Sequence, residues 1–213
     1  MASRADDWRR RIVERLRTVH GDTDARSALL ANVIGAPSPE LKSLLDAPSR
    51  EAAVLLGLVP RPDHLQILLT ERAAHLPYHP GQISFPGGRL APSESPVAAA
   101  LREAEEEVAL GPHQVDVLGL LPPRLTGTGF AVTPVVGWLA SDFTPRPDPR
   151  EVESAFEVPV GHLLDPANGE TGMRERYGTR FVAHEFRFGH HRIWGATAAI
   201  LAEFFEVIDA KTI

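Results

Sequence analysis

Three glutamates, Glu103, Glu106 and Glu107, fall close together in the stretch Gly88 to Leu110, GRLAPSESPVAAALREAEEEVAL. Ser95 is a good N-cap and Pro96 suits the first helical position, so the spacing predicts a helix from there. At about 100° per residue, Val97, Leu101, Ala104 and Val108 share one stripe and the three glutamates cluster opposite. Docking that stripe on a core would aim three carboxylates together, away from it. Like charges at such spacing repel by roughly a few tenths of a kcal/mol per exposed pair. A hard divalent cation would offset this. Mg²⁺ takes oxygen ligands, keeps several waters, and is held by a few carboxylates together with substrate phosphates. A Glu run alone is more often a solvated helix face, so the argument rests on what surrounds it.

The surrounding spacing is specific. Gly88 is followed after five residues by Glu94, and after seven more by Arg102-Glu103, apolar Ala104, one residue, Glu106-Glu107, one residue, Ala109 and Leu110. This resembles the Nudix box, G-x5-E-x7-R-E-U-x-E-E-x-G-U, with U apolar. Every charged position agrees. The one departure is Ala109 in place of Gly, which touches helix termination and not metal chemistry. The resemblance implies Glu103, Glu106 and Glu107 as metal ligands and catalytic groups, with Mg²⁺ or Mn²⁺ as cofactor. The Gly88 carbonyl is a further candidate ligand, because glycine lets backbone approach closely. Arg102 is expected to hold a carboxylate, Glu94 or Glu106, and not to touch substrate. Glu94 reads as a structural partner.

Upstream, Leu68-Leu69-Thr70-x-Arg72-Ala73-x-x-Leu76-x-x-His79-x-Gly81-Gln82-Ile83-Ser84-Phe85-Pro86-Gly87-Gly88 is similar to the extra motif of the coenzyme A pyrophosphatases within the Nudix family. TGTGFAVTPVVG, FEVPVGHLLD and IWGATAAIL look like segments of the same subfamily. The resemblance implies hydrolysis of coenzyme A or a derivative at its diphosphate, giving 3′,5′-ADP and 4′-phosphopantetheine. Within it Arg72 is a candidate phosphate contact, since guanidinium geometry matches phosphate, and His79 contacts substrate or orients the loop. Phe85 and Trp194 read as packing residues, and His190 and His191 as exposed residues of a hairpin tip. For the general base, a Glu of the box or a later one, Glu151 or Glu153, stands open. The rivals are another Nudix specificity (ADP-ribose, NADH or a nucleoside triphosphate), separable by the loops at 71–84 and 122–130, and a non-catalytic Nudix ligand-binding module, which loss of box acids would favour.

These residues need a scaffold. Residues 52–59 and 65–70 are short apolar runs around the turn-like PRPDH and predict a hairpin. Further strands are expected at 115–121, 132–140 and 151–160, then a hairpin of 180–188 with 191–194, and a closing helix at 196–208. Strands and helices mix without strict alternation, so the fold class is α/β, a Nudix fold with a mixed β-sheet sandwiched between helices. Residues 7–18 predict an amphipathic helix with a basic, solvated outer face, while prolines break up residues 21–50. The expected division is an N-terminal helical extension, residues 1–47, that packs on the domain or helps it form a homodimer, and a hydrolase domain, residues 48–213.

Composition bounds the rest. The 213 residues suit one substantial domain. A net charge of −6 with no basic run gives no footprint for nucleic acid or an anionic membrane. There are no cysteines, which excludes disulfides and thiolate chemistry. No apolar run approaches the roughly 20 residues of a membrane span, and the N-terminus lacks a secretory core, so a cytoplasmic protein acting on a small molecule is expected.

Overall fold

The computed structural model describes residues 4–19, 24–62 and 64–208. In chain order these form α1 (Arg4–Leu16), α2 (Ala25–Leu30), β1 (Val33–Ile34), α3 (Pro39–Asp46), β2 (Arg50–Pro60), β3 (Leu65–Arg72), β4 (Ile83–Ser84), β5 (Gly87–Arg89) and α4 (Pro96–Val108). There follow β6 (Val115–Leu120), β7 (Arg124–Leu125), β8 (Phe130–Leu139), β9 (Val152–Pro159), α5 (Val160–Leu164), β10 (Gly169–Arg176), β11 (Thr179–Phe188), β12 (His191–Trp194) and α6 (Gly195–Val207). Residues 1–3 and 20–23 of the expected extension, and Asp63 of the expected turn, lie outside the described residues.

β2 runs through the middle of a mixed eight-stranded sheet. Its side chains alternate as the two-residue period of a strand requires. Ala53, Leu55 and Val59 pack to one side, and Ala52, Leu56 and Leu58 to the other. Burial on both faces explains why the run reads as almost uninterrupted apolar sequence. β2 pairs antiparallel with β5 (Ala53↔Gly88) and with β3 (Leu58↔Ile67). It pairs in parallel with β8, from Arg50↔Phe130 to Leu58↔Trp138. β3 also carries β4 and β9, and β8 carries β6 and β7. A second, antiparallel sheet gathers β1, β10 and β12 around β11.

Helices cover both faces of the large sheet. Ala99, Ala100, Ala104 and Val108 of α4 close over Ala53, Leu55, Leu68 and Val135. On the other face lie Ile12 and Leu16 of α1 and Ala198, Leu201 and Phe204 of α6. The expected sandwich of a mixed sheet between helices is therefore the observed architecture.

Two segments add to the sequence expectation. Prolines were expected to break any long element in residues 21–50, and two short helices, α2 and α3, lie there. Asp24 accepts hydrogen bonds from the Arg26 and Ser27 amides, and the Ser38 hydroxyl accepts from Leu41. Pro39 therefore starts α3 instead of breaking it, because the first turn leaves its amides unpaired in any case. β10, GETGMRER, had no signal of its own. It is mostly exposed and is held by antiparallel pairing along its whole length, Gly169↔Phe186 to Arg176↔Thr179.

Candidate functional site

The site forms where α4 crosses the β5 strand. α4 begins as expected: the Ser95 hydroxyl accepts from the Ala98 amide, and Pro96 fills the first turn. It ends at Ala109, whose φ of 58° and ψ of 33° are left-handed. The amides of Ala109 and Leu110 donate back to the carbonyls of Glu105 and Ala104, which satisfies two of the helix's last acceptors. The alanine thus adopts the geometry that the glycine of the box would adopt, at the steric cost of its Cβ.

The carboxylates are arranged differently from the helical-wheel expectation. The buried side of α4 carries Ala99, Ala100, Ala104 and Val108, and Glu107 lies among them at 4% exposure. Leu101 is only half-buried. Glu107 turns inward because the Gly87 amide donates to its Oε2 at 3.1 Å. Glu103 is also enclosed, with a side chain 15% exposed, whereas that of Glu106 is 57% exposed. A Cβ on Gly88 would overlap the Glu103 carboxylate, so a larger residue there would push that carboxylate out of its place.

Arg102 organises the cluster. Its Nε and Nη2 reach both oxygens of Glu94 at 2.9 and 3.0 Å, Nη1 donates to Glu103 at 2.8 Å, and Nη2 donates to the Arg89 carbonyl. Glu106 lies 3.6 Å away. Arg102, and after it the Ala91 amide, pulls the Glu94 carboxyl down to about 2. Glu94 and then Glu103 raise the Arg102 guanidinium above its ordinary value. A fixed fork between two carboxylates sets where the second one points.

Glu107 carries the opposite electrostatic problem. Burial pushes its carboxyl up to about 8, and the nearby charges of Glu103 and Glu151 push the same way. The Gly87 hydrogen bond and the Arg72 guanidinium oppose that rise. The donor set is all oxygen, rich in negative charge and short of positive charge, which is the chemistry that suits Mg²⁺ or Mn²⁺.

Arg72 sits at the end of β3, where the pairing with β9 shifts register. It is close enough to lower the Glu107 carboxyl, and its buried Nε has no hydrogen-bond partner. That orphaned donor fits an absent anionic oxygen. His79 lies elsewhere on the β3–β4 loop, exposed and in the left-handed region with φ 59°, and is not brought to the carboxylates. Of the two later acids, Glu151 is near enough for its charge to raise the Glu107 carboxyl. Phe85 is buried, as expected. Trp194 is 43% exposed and stacks under Arg192, so its packing is partial. His190 is exposed, but the side chain of His191 is only 11% exposed and lies flat on Phe156. No sequence signal marked the burial of His191, because hairpin tips are usually solvated.

Residues 50–177 match the NUDIX domain family. The chain is 42% identical over 163 residues to a protein described as an uncharacterized Nudix hydrolase, NudL, of Enterobacter sp. (strain 638), covering 76% of this chain and 84% of that one. The same values hold for NudL of Salmonella newport (strain SL254). Among solved structures, the MutT protein of Methanosarcina mazei Go1 superposes with a TM-score of 0.51 at 18% identity, over 78% of this chain and 97% of that one. A MutT/nudix family protein of Enterococcus faecalis gives a TM-score of 0.51 at 16% identity, over 98% and 76%; both likenesses concern the fold alone. The box on α4, the matched span and the identity to NudL together establish that the chain belongs to the Nudix hydrolase family and is an enzyme of its pyrophosphohydrolase class.

Proposed function

We propose that the chain hydrolyses the diphosphate linkage of coenzyme A or a derivative of it, releasing 3′,5′-ADP and 4′-phosphopantetheine. The observation that carries the reading is the placement of Arg72. The residues Leu68 to Gly88 that resemble the coenzyme A pyrophosphatase motif run along β3 and return through β4 and β5 to α4. They set a guanidinium with an unpartnered buried Nε within the field of Glu107. A diphosphate offers the oxygens that this donor lacks.

In this reading Glu103, Glu106, Glu107 and the Gly88 carbonyl hold Mg²⁺ or Mn²⁺. Bound there, the ion supplies charge neutralisation for the diphosphate and a more acidic water. Arg102 is a positioning residue, fixing Glu103 through its fork to Glu94. Arg72 binds a phosphate oxygen and orients the scissile linkage. Glu151, whose charge helps to raise the Glu107 carboxyl, is a better candidate for proton abstraction than Glu153. His79, exposed on the loop after β3, is kept as a residue that contacts substrate or orients that loop.

Product analysis tests the reading. The protein is incubated with Mg²⁺ or Mn²⁺ and each of CoA, acetyl-CoA, NADH, ADP-ribose and dGTP. Release of 3′,5′-ADP, with kcat/KM for CoA species well above the others, is expected. Preferential turnover of ADP-ribose or NADH would overturn the substrate and keep the metal site.

A further inference from the structure

Next to Arg72 in β3, Glu71 belongs to a second cluster of ligating side chains. Leu68 packs toward α4, while Ile67 and Leu69 pack toward α6. Glu71 follows the second set. It meets His190 and His191 at the tip of the β11–β12 hairpin, and one ligating atom from each of the three lies within 4.8 Å of the others. We propose that Glu71, His190 and His191 form a second metal site, distinct from the carboxylates of α4, that takes a borderline transition ion such as Zn²⁺.

The donor chemistry selects the ion. Two imidazoles and one carboxylate suit Zn²⁺, Co²⁺ or Ni²⁺, whereas Mg²⁺ prefers oxygen alone. The geometry is partly built. The Ser154 hydroxyl donates to Glu71 Oε2 at 3.1 Å, which fixes the carboxylate. His191 is stacked on Phe156 with ring centroids 3.9 Å apart and planes 5° from parallel, and its Nδ1 is 3.9 Å from Glu71 Oε2. Ligands bonded at about 2.0 Å around a tetrahedral ion stand about 3.3 Å apart, so binding draws the three together by a small movement. The exposed His190 has freedom to supply most of it. Three protein ligands leave a fourth position for water. The ion would tie the smaller sheet to β3 one residue from the phosphate-binding arginine.

Equilibrium dialysis of the whole protein against Zn²⁺ with Mg²⁺ in excess, followed by elemental analysis, tests this. His190 is exposed and its ring lies against that of His191, so His190→Ala removes little buried packing. The wild type is expected to retain one more equivalent of Zn²⁺ than His190→Ala or Glu71→Gln, while Glu107→Gln retains it. Zn²⁺ should raise Tm in the wild type and raise it less in His190→Ala. Equal Zn²⁺ content in the wild type and His190→Ala would overturn the site, as would loss of that equivalent in Glu107→Gln alone.

Discussion

The Gly87 amide donates to Glu107 Oε2 at 3.1 Å, joining the strand that ends the upstream motif to the helix that carries the box. The hydrogen bond turns a carboxylate into the interior, where helical periodicity alone would place it outside. Glu107→Gln keeps the shape and removes the charge. We expect kcat to fall by about 100-fold or more, with Tm of the metal-free protein unchanged or higher because folding no longer has to protonate a buried carboxylate. Retained turnover would remove Glu107 from the metal site.

The raised carboxyl of Glu107 also makes metal-free stability depend on pH. Its folded value is about 8 against an ordinary 4.5. Between these values the folded state holds a proton that the unfolded chain has released, so stability falls as pH rises through the window. Melting in a chelator from about pH 5 to about pH 8 should show Tm declining, and Mg²⁺ should remove most of the decline. Glu107→Gln should flatten the curve; an equally steep curve in the variant would assign the slope to another group.

Arg72→Ala should lower kcat/KM for the diphosphate substrate by about 100-fold, with little change in Tm, since the lost Nε makes no hydrogen bond within the fold. Equal kinetics in the two proteins would remove the phosphate contact.

Arg102→Lys keeps the charge and loses the fork to Glu94 and Glu103. Loss of a residue that orients a metal ligand typically costs about 10–100-fold. The expected signature is a higher Mg²⁺ requirement with near-normal activity at saturating metal, read from metal titrations. An unchanged titration would make Arg102 a structural residue only.

Ala109→Gly should stabilise the protein by about 1 kcal/mol, because the left-handed C-cap at φ 58° is strained for alanine and not for glycine. Urea unfolding measures it, and a destabilised variant would contradict the strain.

Much of this site was legible because its signals are local. Ser95-Pro96 marks the start of α4, and the charged spacing from Gly88 to Glu107 needs only a helix to bring it together. The approach of Gly88 to Glu103 followed from the absence of a side chain. The inward turn of Glu107 was not legible, since it depends on where an amide of another strand points. The shielding of His191 by Phe156 and the recruitment of β10 by β11 are likewise long-range. Caps at Asp24 and Ser38 are local signals, but a proline both interrupts helices and starts them, and Pro39 opens one.

The parallel pairing of β2 with β8 carries a consequence for how the site comes into being. Residues 50–58 find their partners only at 130–138, and α4 lies on the chain between them. Loop closure over such a span is entropically costly and slows folding. Val135 and Leu139 of β8 complete the apolar bed under α4. During synthesis the helix of the box therefore leaves the ribosome before the β8 side of its seat exists, and the bed under α4 is completed late, by a long-range pairing.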